Sequence, residues 1–585
     1  MERPAGPIDE RIGWGSDVAA DMLRRLNVPY VALTPGASFR GLHDSLVNHL
    51  GNRRPRMLTC LHEEQAVAIA HGYAKASGRA MAVALHANVG LMHATMAIFN
   101  AWCDRQPMLI LGATGPLDAA RRRPWIDWVH TAQDQAALVR PFVKWDDQPG
   151  SAAAIVESML RGWQIAATPP GGPVYVCLDA ALQEQALDRA PAIPDVGRYR
   201  PPSPAVADAT ALDKAAELLR HAERPLILYG RCRRTPEAWE RRVALAERLG
   251  SAMMSDLKAG SMVPSDHPQH VGDPFNRPSP AIGEVVRAAD AILSLGWIDL
   301  GGLLDRANEG APPTARVIHA GTDTHLHRGW GKEHGALPPI DVNLAGDPDA
   351  AVEALLGRLA GTSPKAPWHA VPASAAATTT SVDGGALTMA DIAVALGAAI
   401  GDPITYAALP RGWPVALAPH RDPFAYLGKD GGGGVGSGPG LSIGAALALK
   451  GTGRPVVGVI GDGDCMMSIN ALWTAAHYAI PALLVVANNC SYYNDEVHQE
   501  RVALARSRNP ANKWIGQAIA DPTPDFARLA EAQGVGAAGP VTTRQDLAIA
   551  VAEAIAAVRA GRPFLVDVHI DPAHGREPAT GPDRE

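Results

Sequence analysis

Pro455-Val456-Val457-Gly458-Val459-Ile460-Gly461-Asp462-Gly463-Asp464, followed by Pro481-Ala482-Leu483-Leu484-Val485-Val486-Ala487-Asn488-Asn489, decides how this chain folds. Each apolar run is short, rich in β-branched residues and stopped abruptly by polar ones, as a fully buried strand should be. Met466 to Ala479 between them reads as a helix, so the stretch is one βαβ unit with polar groups at both strand ends. Ligands of open parallel sheets bind beyond the carboxyl ends of strands, where glycine lets backbone approach a phosphate. Asp462 is the carboxylate that glycines flank there. With the Asn489 amide oxygen and a nearby backbone carbonyl it makes a hard, all-oxygen half-shell suited to Mg²⁺ on a diphosphate. Either element alone reads as a turn or a loop start; the spaced pair inside one strand-helix-strand unit favours the ligand site.

The same rhythm of short β-rich runs and Ala-rich helices continues outward through all 585 residues, the pattern of parallel sheets with crossover helices. Two stretches break it. Ala190 to Asp208 carries five prolines, and Gly361 to Gly385 is rich in Pro, Ser, Ala and Thr, including Thr378-Thr379-Thr380. As linkers they leave three blocks, residues 1–190, 205–360 and 385–572, and the predicted fold is α/β with three doubly wound parallel-sheet domains. In the first block Tyr30 to Thr34 is a predicted strand running into the turn Pro35-Gly36-Ala37-Ser38. A helix from His62 to Ser77 and a strand from Met81 to Leu85 follow it.

Composition removes several classes of function. Hydrophobic residues are 47% and charged residues 19%, too apolar for a disordered chain. No stretch reaches the length of uncharged apolar sequence that a membrane span needs, and the charged, Pro-containing N-terminus lacks the apolar run of a signal peptide. The 60 acids exceed the 53 Lys and Arg, giving net −7, so a broad nucleic-acid face is not expected. The six cysteines lie far apart with no Cys-x-x-Cys pair, which predicts a reducing, cytoplasmic setting.

The helix after His62 holds a second candidate. Positions 63, 67, 70 and 74 share one face and read Glu, Val, Ala, Ala; positions 64, 68, 71 and 75 read Glu, Ala, His, Lys. Glu63 is therefore expected to face packing and Glu64 water. An ionised, unpaired acid on an apolar face costs several kcal/mol, so Glu63 is expected to have a partner or a chemical role.

Gly461-Asp462-Gly463 with Asn488-Asn489 resembles the thiamine diphosphate (ThDP) signature, and Leu61-His62-Glu63 through Gly72-Tyr73-Ala74 is similar to the same family's His-Glu…Gly-Tyr-Ala helix. The resemblance spans all three blocks and implies pyrimidine-binding, central and diphosphate-binding domains. It implies that Asp462, Asn489 and the backbone carbonyl of Ser491 hold Mg²⁺, with Gly461, Gly463 and Asp464 around the diphosphate. Asp464 stands where relatives often have Ser, and its carboxylate is expected to turn away from the diphosphate. Val435, in Gly433-Gly434-Val435-Gly436, takes the place of the apolar residue that bends the cofactor. Glu63 would hydrogen-bond the aminopyrimidine ring, so that its imino nitrogen takes the proton from the thiazolium C2.

Within that family the chain looks most like benzoylformate decarboxylase, with acetolactate synthase next. Ala84-Leu85-His86-Ala87-Asn88 places His86 at an active-site histidine, where it would orient the substrate carboxylate or shuttle protons. Ala37 and Ser38 stand where that enzyme has its active-site serine. Tyr493, Glu496 and His498 lie in the segment that covers substrate in decarboxylases and somewhat resembles oxalyl-CoA decarboxylase and 2-hydroxyacyl-CoA lyases. His420 and the run Trp125 to His130 are weaker candidates, and the charged tail Ala573 to Glu585 is expected to be disordered rather than a CoA lid. The expectation is a ThDP- and Mg²⁺-dependent decarboxylase of a small 2-keto acid. Alternatives are a carboligase, an acyl-CoA lyase or a catalytically silent ThDP-binding assembly protein. FAD is not expected. Active sites shared within a homodimer or homotetramer are implied, because the family's acid and its metal site meet across chains.

Overall fold

The computed structural model describes residues 2–256, 258–272, 279–323, 337–369, 385–401, 403–429 and 431–571. Thr378-Thr379-Thr380 of the second linker and the tail Ala573 to Glu585 lie outside these residues. Among the described residues the strands form three parallel sheets. The first contains β1 (Tyr30–Leu33), β2 (Arg56–Thr59), β3 (Met81–Leu85), β4 (Met108–Thr114), β5 (Asp146–Asp147) and β6 (Pro173–Asp179), in the order β2-β1-β3-β4-β6-β5. The second contains β7 (Pro225–Tyr229), β8 (Ala252–Ser255), β9 (His270–Gly272), β10 (Ala291–Leu295), β11 (Arg316–Gly321) and β12 (Val342–Ala345), in the order β12-β11-β10-β7-β8-β9. The third contains β13 (Thr405–Ala408), β14 (Val456–Gly461), β15 (Ala482–Asn488), β16 (Gly536–Val541) and β17 (Phe564–His569), in the order β13-β14-β15-β17-β16. Strands of this kind are covered on both faces, which is why β3, β4, β6, β7, β10 and β15 are buried along their whole length.

β14 and β15 are neighbours, paired from Val456↔Ala482 to Gly461↔Ala487. The helix between them departs from expectation. It starts at Asp462, directly on the end of β14, runs to Met467, breaks, and resumes as Ala471–His477. Gly-Asp-Gly is thus a strand-to-helix junction rather than a loop.

One seam fastens the first sheet unit to the third. Helix Glu63–Ser77, capped by His62, crosses helix Gly438–Ala448. Their backbones meet through small residues: a Cβ on Gly72 would lie 2.1 Å from the Leu441 carbonyl oxygen, and one on Gly444 would lie 2.0 Å from that of Ile69. Ala66, Ile69 and Ala70 share one apolar cluster with Ile443, Ala445 and Ala446. The second face of the Glu63 helix is therefore covered by another part of the chain. Glu64 is half-buried against the glycine-rich loop rather than fully in water, because periodicity within one helix carries no information about a neighbour arriving from far along the chain.

Candidate active site

The third sheet builds the first half. Asp462 follows the last residue of β14 and Asn489 the last residue of β15, so the adjacency of the strands brings the two side chains to one place. Asp462 is buried, and its oxygens accept hydrogen bonds from the N–H groups of Gly463 (2.9 Å) and Ser491 (2.9 Å). The Ser491 N–H also donates to Asn489 Oδ1 at 3.0 Å, so the two side-chain oxygens converge on one donor. Burial raises the Asp462 pKa and those backbone donors pull it back only in part. A desolvated carboxylate with incomplete compensation beside an amide oxygen fits a divalent cation with oxygen preference. Asn488 plays a different part. Its amide reaches Asp567 Oδ1 at 3.0 Å and ties the loop to β17.

Asp464 turns its Oδ1 onto the N–H groups of Gly436 (2.6 Å) and Gly438 (3.2 Å). It thereby straps the glycine-rich loop to the Asp462 motif, with Gln65 Nε2 donating to the Gly436 carbonyl (3.1 Å) from the other side. Val435 is exposed at the tip of this loop, as are Met466 and Met467 beside it. Glu64 is pushed to a higher pKa by burial and by the Asp464 charge across the loop.

Helix Tyr493–Ala505 follows the loop. The ring packed on the metal motif is that of Tyr492, since a Cβ on Gly463 would lie 2.4 Å from it; Tyr493 instead holds its ring under the Lys513 ammonium at 5.8 Å. Glu496 is buried and receives the Ser491 hydroxyl. His498 pairs with Asn494 at 3.0 Å, whose Oδ1 accepts from Arg411. The His420 ring is buried against Tyr426 at a seam where the His420 backbone N–H donates to Ser265 Oγ of the second sheet unit.

The second half stands on the carboxyl ends of β1, β2, β3 and β4. Glu63, just after β2, is buried with its Oε2 3.0 Å from His93 Nδ1 and its stem against Gly90. His62 and His93 stack with ring centres 4.9 Å apart. His86, at the end of β3, meets the His130 ring edge-on at 4.7 Å, and its Nδ1 lies 2.9 Å from Ser38 Oγ at the end of β1. Burial lowers the pKa of His86 and the neighbouring His130 adds to this, while Glu63 opposes it; His62 is lowered likewise, by burial and then by His93.

One expectation needs correction here. Ser38 is buried and turns its hydroxyl to His86 rather than outward, while Ala37 is exposed at the turn. Trp125 and Trp128, weaker candidates from the sequence, are 70% and 75% exposed on the single chain. The sequence reading missed His93, Tyr492 and Gln65, and it had His130 only as a weaker candidate within the run Trp125 to His130. His93 and Gln65 had a signal, since each lies at helical spacing from residues that face the site. The contacts of His130 and Tyr492 arise only from loop paths.

Comparison with known proteins agrees with both halves. Residues 13–138 match the thiamine pyrophosphate enzyme N-terminal TPP binding domain, residues 212–355 the central domain of the same enzymes, and residues 410–568 their C-terminal TPP binding domain. Benzoylformate decarboxylase of Pseudomonas aeruginosa is 27% identical over 88% of this chain and 91% of that protein. The acetolactate synthase large subunit of Haemophilus influenzae is 24% identical over 95% and 94%. The solved ThDP-dependent 4-hydroxybenzoylformate decarboxylase of Rhodococcus jostii superposes with a TM-score of 0.76 at 24% identity, covering 95% of this chain and 98% of that one.

Proposed function

The chain belongs to the thiamine pyrophosphate enzyme family, an enzyme with ThDP-dependent decarboxylases and acetolactate synthases for relatives, and we propose that it decarboxylates a small 2-keto acid without oxidation. The observation that carries this reading is the convergence of Asp462 Oδ2 and Asn489 Oδ1 on one N–H at the ends of β14 and β15. These two side chains and a backbone carbonyl of Ser491 would hold Mg²⁺ on the cofactor diphosphate, with Gly461, Gly463 and Asp464 around it and Val435 beneath. Bound ThDP would supply the carbon nucleophile and the electron sink for breaking a bond next to a carbonyl. Glu63 would hold and return a proton at the aminopyrimidine ring. His86 and the imidazoles around it would orient the carboxylate of the substrate.

The site is proposed to be shared between two copies. The carboxylate of Glu63 faces His93 and Gly90 of its own sheet unit. Val435, Met466 and Met467 on one half, and Leu61, Met92, Trp125 and Trp128 on the other, leave apolar surface exposed on a single chain, which a second copy would cover. Magnesium dependence, this assembly and a cytoplasmic setting belong to the same proposal.

A cavity of about 950 Å³ opens at the ends of β7, β10 and β11, where a carboligase or acyl-CoA branch would place a nucleotide. Its arginines are already engaged: Arg231 with Asp323, Arg233 with Asp347, and Arg234 with backbone carbonyls. That arrangement supports the simpler decarboxylase. The test is a panel of 2-keto acids read by CO₂ release, with and without an aldehyde acceptor, on protein loaded with Mg²⁺ and ThDP. Release that needs both is expected and is lost in Asp462→Ala together with cofactor retention. Product formed only with an acceptor would favour the carboligase, and a rise in melting temperature with ADP or CoA the lyase.

A further inference from the structure

The setting of His86 fixes which of its nitrogens carries the proton. Its Nδ1 is 3.4 Å from the Ser38 backbone N–H and 2.9 Å from the Ser38 hydroxyl. A backbone N–H can only donate, so Nδ1 must accept. The hydroxyl leads to the same conclusion from another direction. Ser38 Oγ accepts from the Ala87 N–H at 3.0 Å, which leaves its single proton for Nδ1. The alternative, an Nδ1–H facing two donors, would leave one of these buried groups unpaired.

The geometry around the pair is over-determined. Ala87 holds φ +42, a conformation an alanine adopts only under constraint, and that turn aims its N–H at Ser38. The Ser38 carbonyl accepts from Gln183 Nε2 at 3.0 Å, anchoring the turn from beyond the end of β6. The imidazole lies on Gly36, where any Cβ would stand 2.4 Å from the His86 Cβ. Five separate contacts therefore hold the ring and its proton in one arrangement.

We propose that Ser38 is a positioning residue that locks neutral His86 in the Nε2–H form, so that His86 serves the reaction as a hydrogen-bond donor to an anionic oxygen of the substrate and not as a resting-state base. What the donor meets rests on the keto-acid reading; the proton's location does not. The titratable groups that face His86 are His130 and Glu63.

Histidine-selective ¹⁵N NMR on the full-length protein tests this without any substrate, the His86 signals being assigned by difference from His86→Gln. An unprotonated Nδ1 and a protonated Nε2 are expected in the wild type. In Ser38→Ala the two forms should mix and the His86 pKa should rise, because the donors that favour neutral imidazole are weakened. On the best substrate of the panel, kcat should fall about tenfold with KM little changed, and the acid limb of the pH profile should move up. Ser38→Thr, which retains the hydroxyl, should restore the wild-type form. A wild-type Nδ1–H, or a Ser38→Ala protein with the same tautomer and the same acid limb, overturns the proposal. Failure of every keto acid would refute the proposed function and leave the NMR result standing by itself.

Discussion

Substituting Gly72 by Ala places the hardest demand on the seam between the Glu63 helix and helix Gly438–Ala448. The new Cβ would lie 2.1 Å from the Leu441 carbonyl oxygen and 2.8 Å from its carbon and Cα, and side-chain carbons essentially never come closer than 3.0 Å. The obstacle is backbone, so no side chain can swing away. The two helices must part by about 1 Å, and overpacking of that kind costs about 1–3 kcal/mol. Alanine returns up to about 1 kcal/mol through its greater helix propensity. The net expectation is a loss of about 1–2 kcal/mol. Gly397 provides the matched control. It lies in helix Met389–Ile400, exposed, with nothing within 4 Å of where a Cβ would stand. The same substitution there should stabilise by about 0.5–1 kcal/mol. Denaturant melts of both variants, with ThDP affinity measured alongside, read the difference. Gly72→Ala should also weaken cofactor binding, because the seam sets the spacing between Gln65 and the Gly436 carbonyl it bonds. Equal stability of the two variants, or a stabilised Gly72→Ala, would refute the close-packed seam.

Glu63→Gln should still bind ThDP but lose on the order of 10²- to 10⁴-fold in turnover, whereas Glu64→Gln should stay within a few-fold of wild type; steady-state rates decide, and the reverse order would discard the helix-face argument. Asp256, fully buried at the end of β8, has its pKa raised to about 6 by burial. Its folded pKa exceeds the unfolded value of about 3.9, so its contribution to stability falls as pH rises from about 4 to 6 and stays low above that. Relative to wild type, Asp256→Asn should therefore gain up to about 3 kcal/mol between pH 4 and 7 in unfolding measurements, and a pH-independent difference counts against the buried acid. Removing both exposed tryptophans, Trp125→Ala with Trp128→Ala, should shift sedimentation towards the monomer and make activity fall on dilution; an unchanged assembly would move the proposed interface elsewhere.

How much of this was legible in the sequence depends on the distance over which each feature is specified. The parallel sheets were readable because a buried strand needs a short run of β-branched residues, and Val456–Gly461 and Ala482–Asn488 carry that run within themselves. Where the helix after Gly461 starts and breaks was not readable, since Asp462 and Gly463 favour turns as much as first helical positions and only the junction with β14 decides. Glu63 was found because its burial follows from its own helix. The fate of Glu64 was not, because it is fixed by Gly436 and Asp464, which arrive from the far end of the chain.

The same distinction explains the polar wall on the first sheet. Ser38, Glu63, His86 and His130 are scattered over nearly a hundred residues, yet each follows a strand of one parallel sheet, and parallel strands deliver all their carboxyl ends to one edge. The topology therefore gathers the residues, while loop geometry decides their roles. Ser38 looked like a substrate contact because its position in the turn was known and its neighbours were not. Once the register Leu33↔Ala84 places the ends of β1 and β3 side by side, the same hydroxyl faces His86 Nδ1 and the Ala87 N–H, and its chemistry becomes control of a proton on a neighbour.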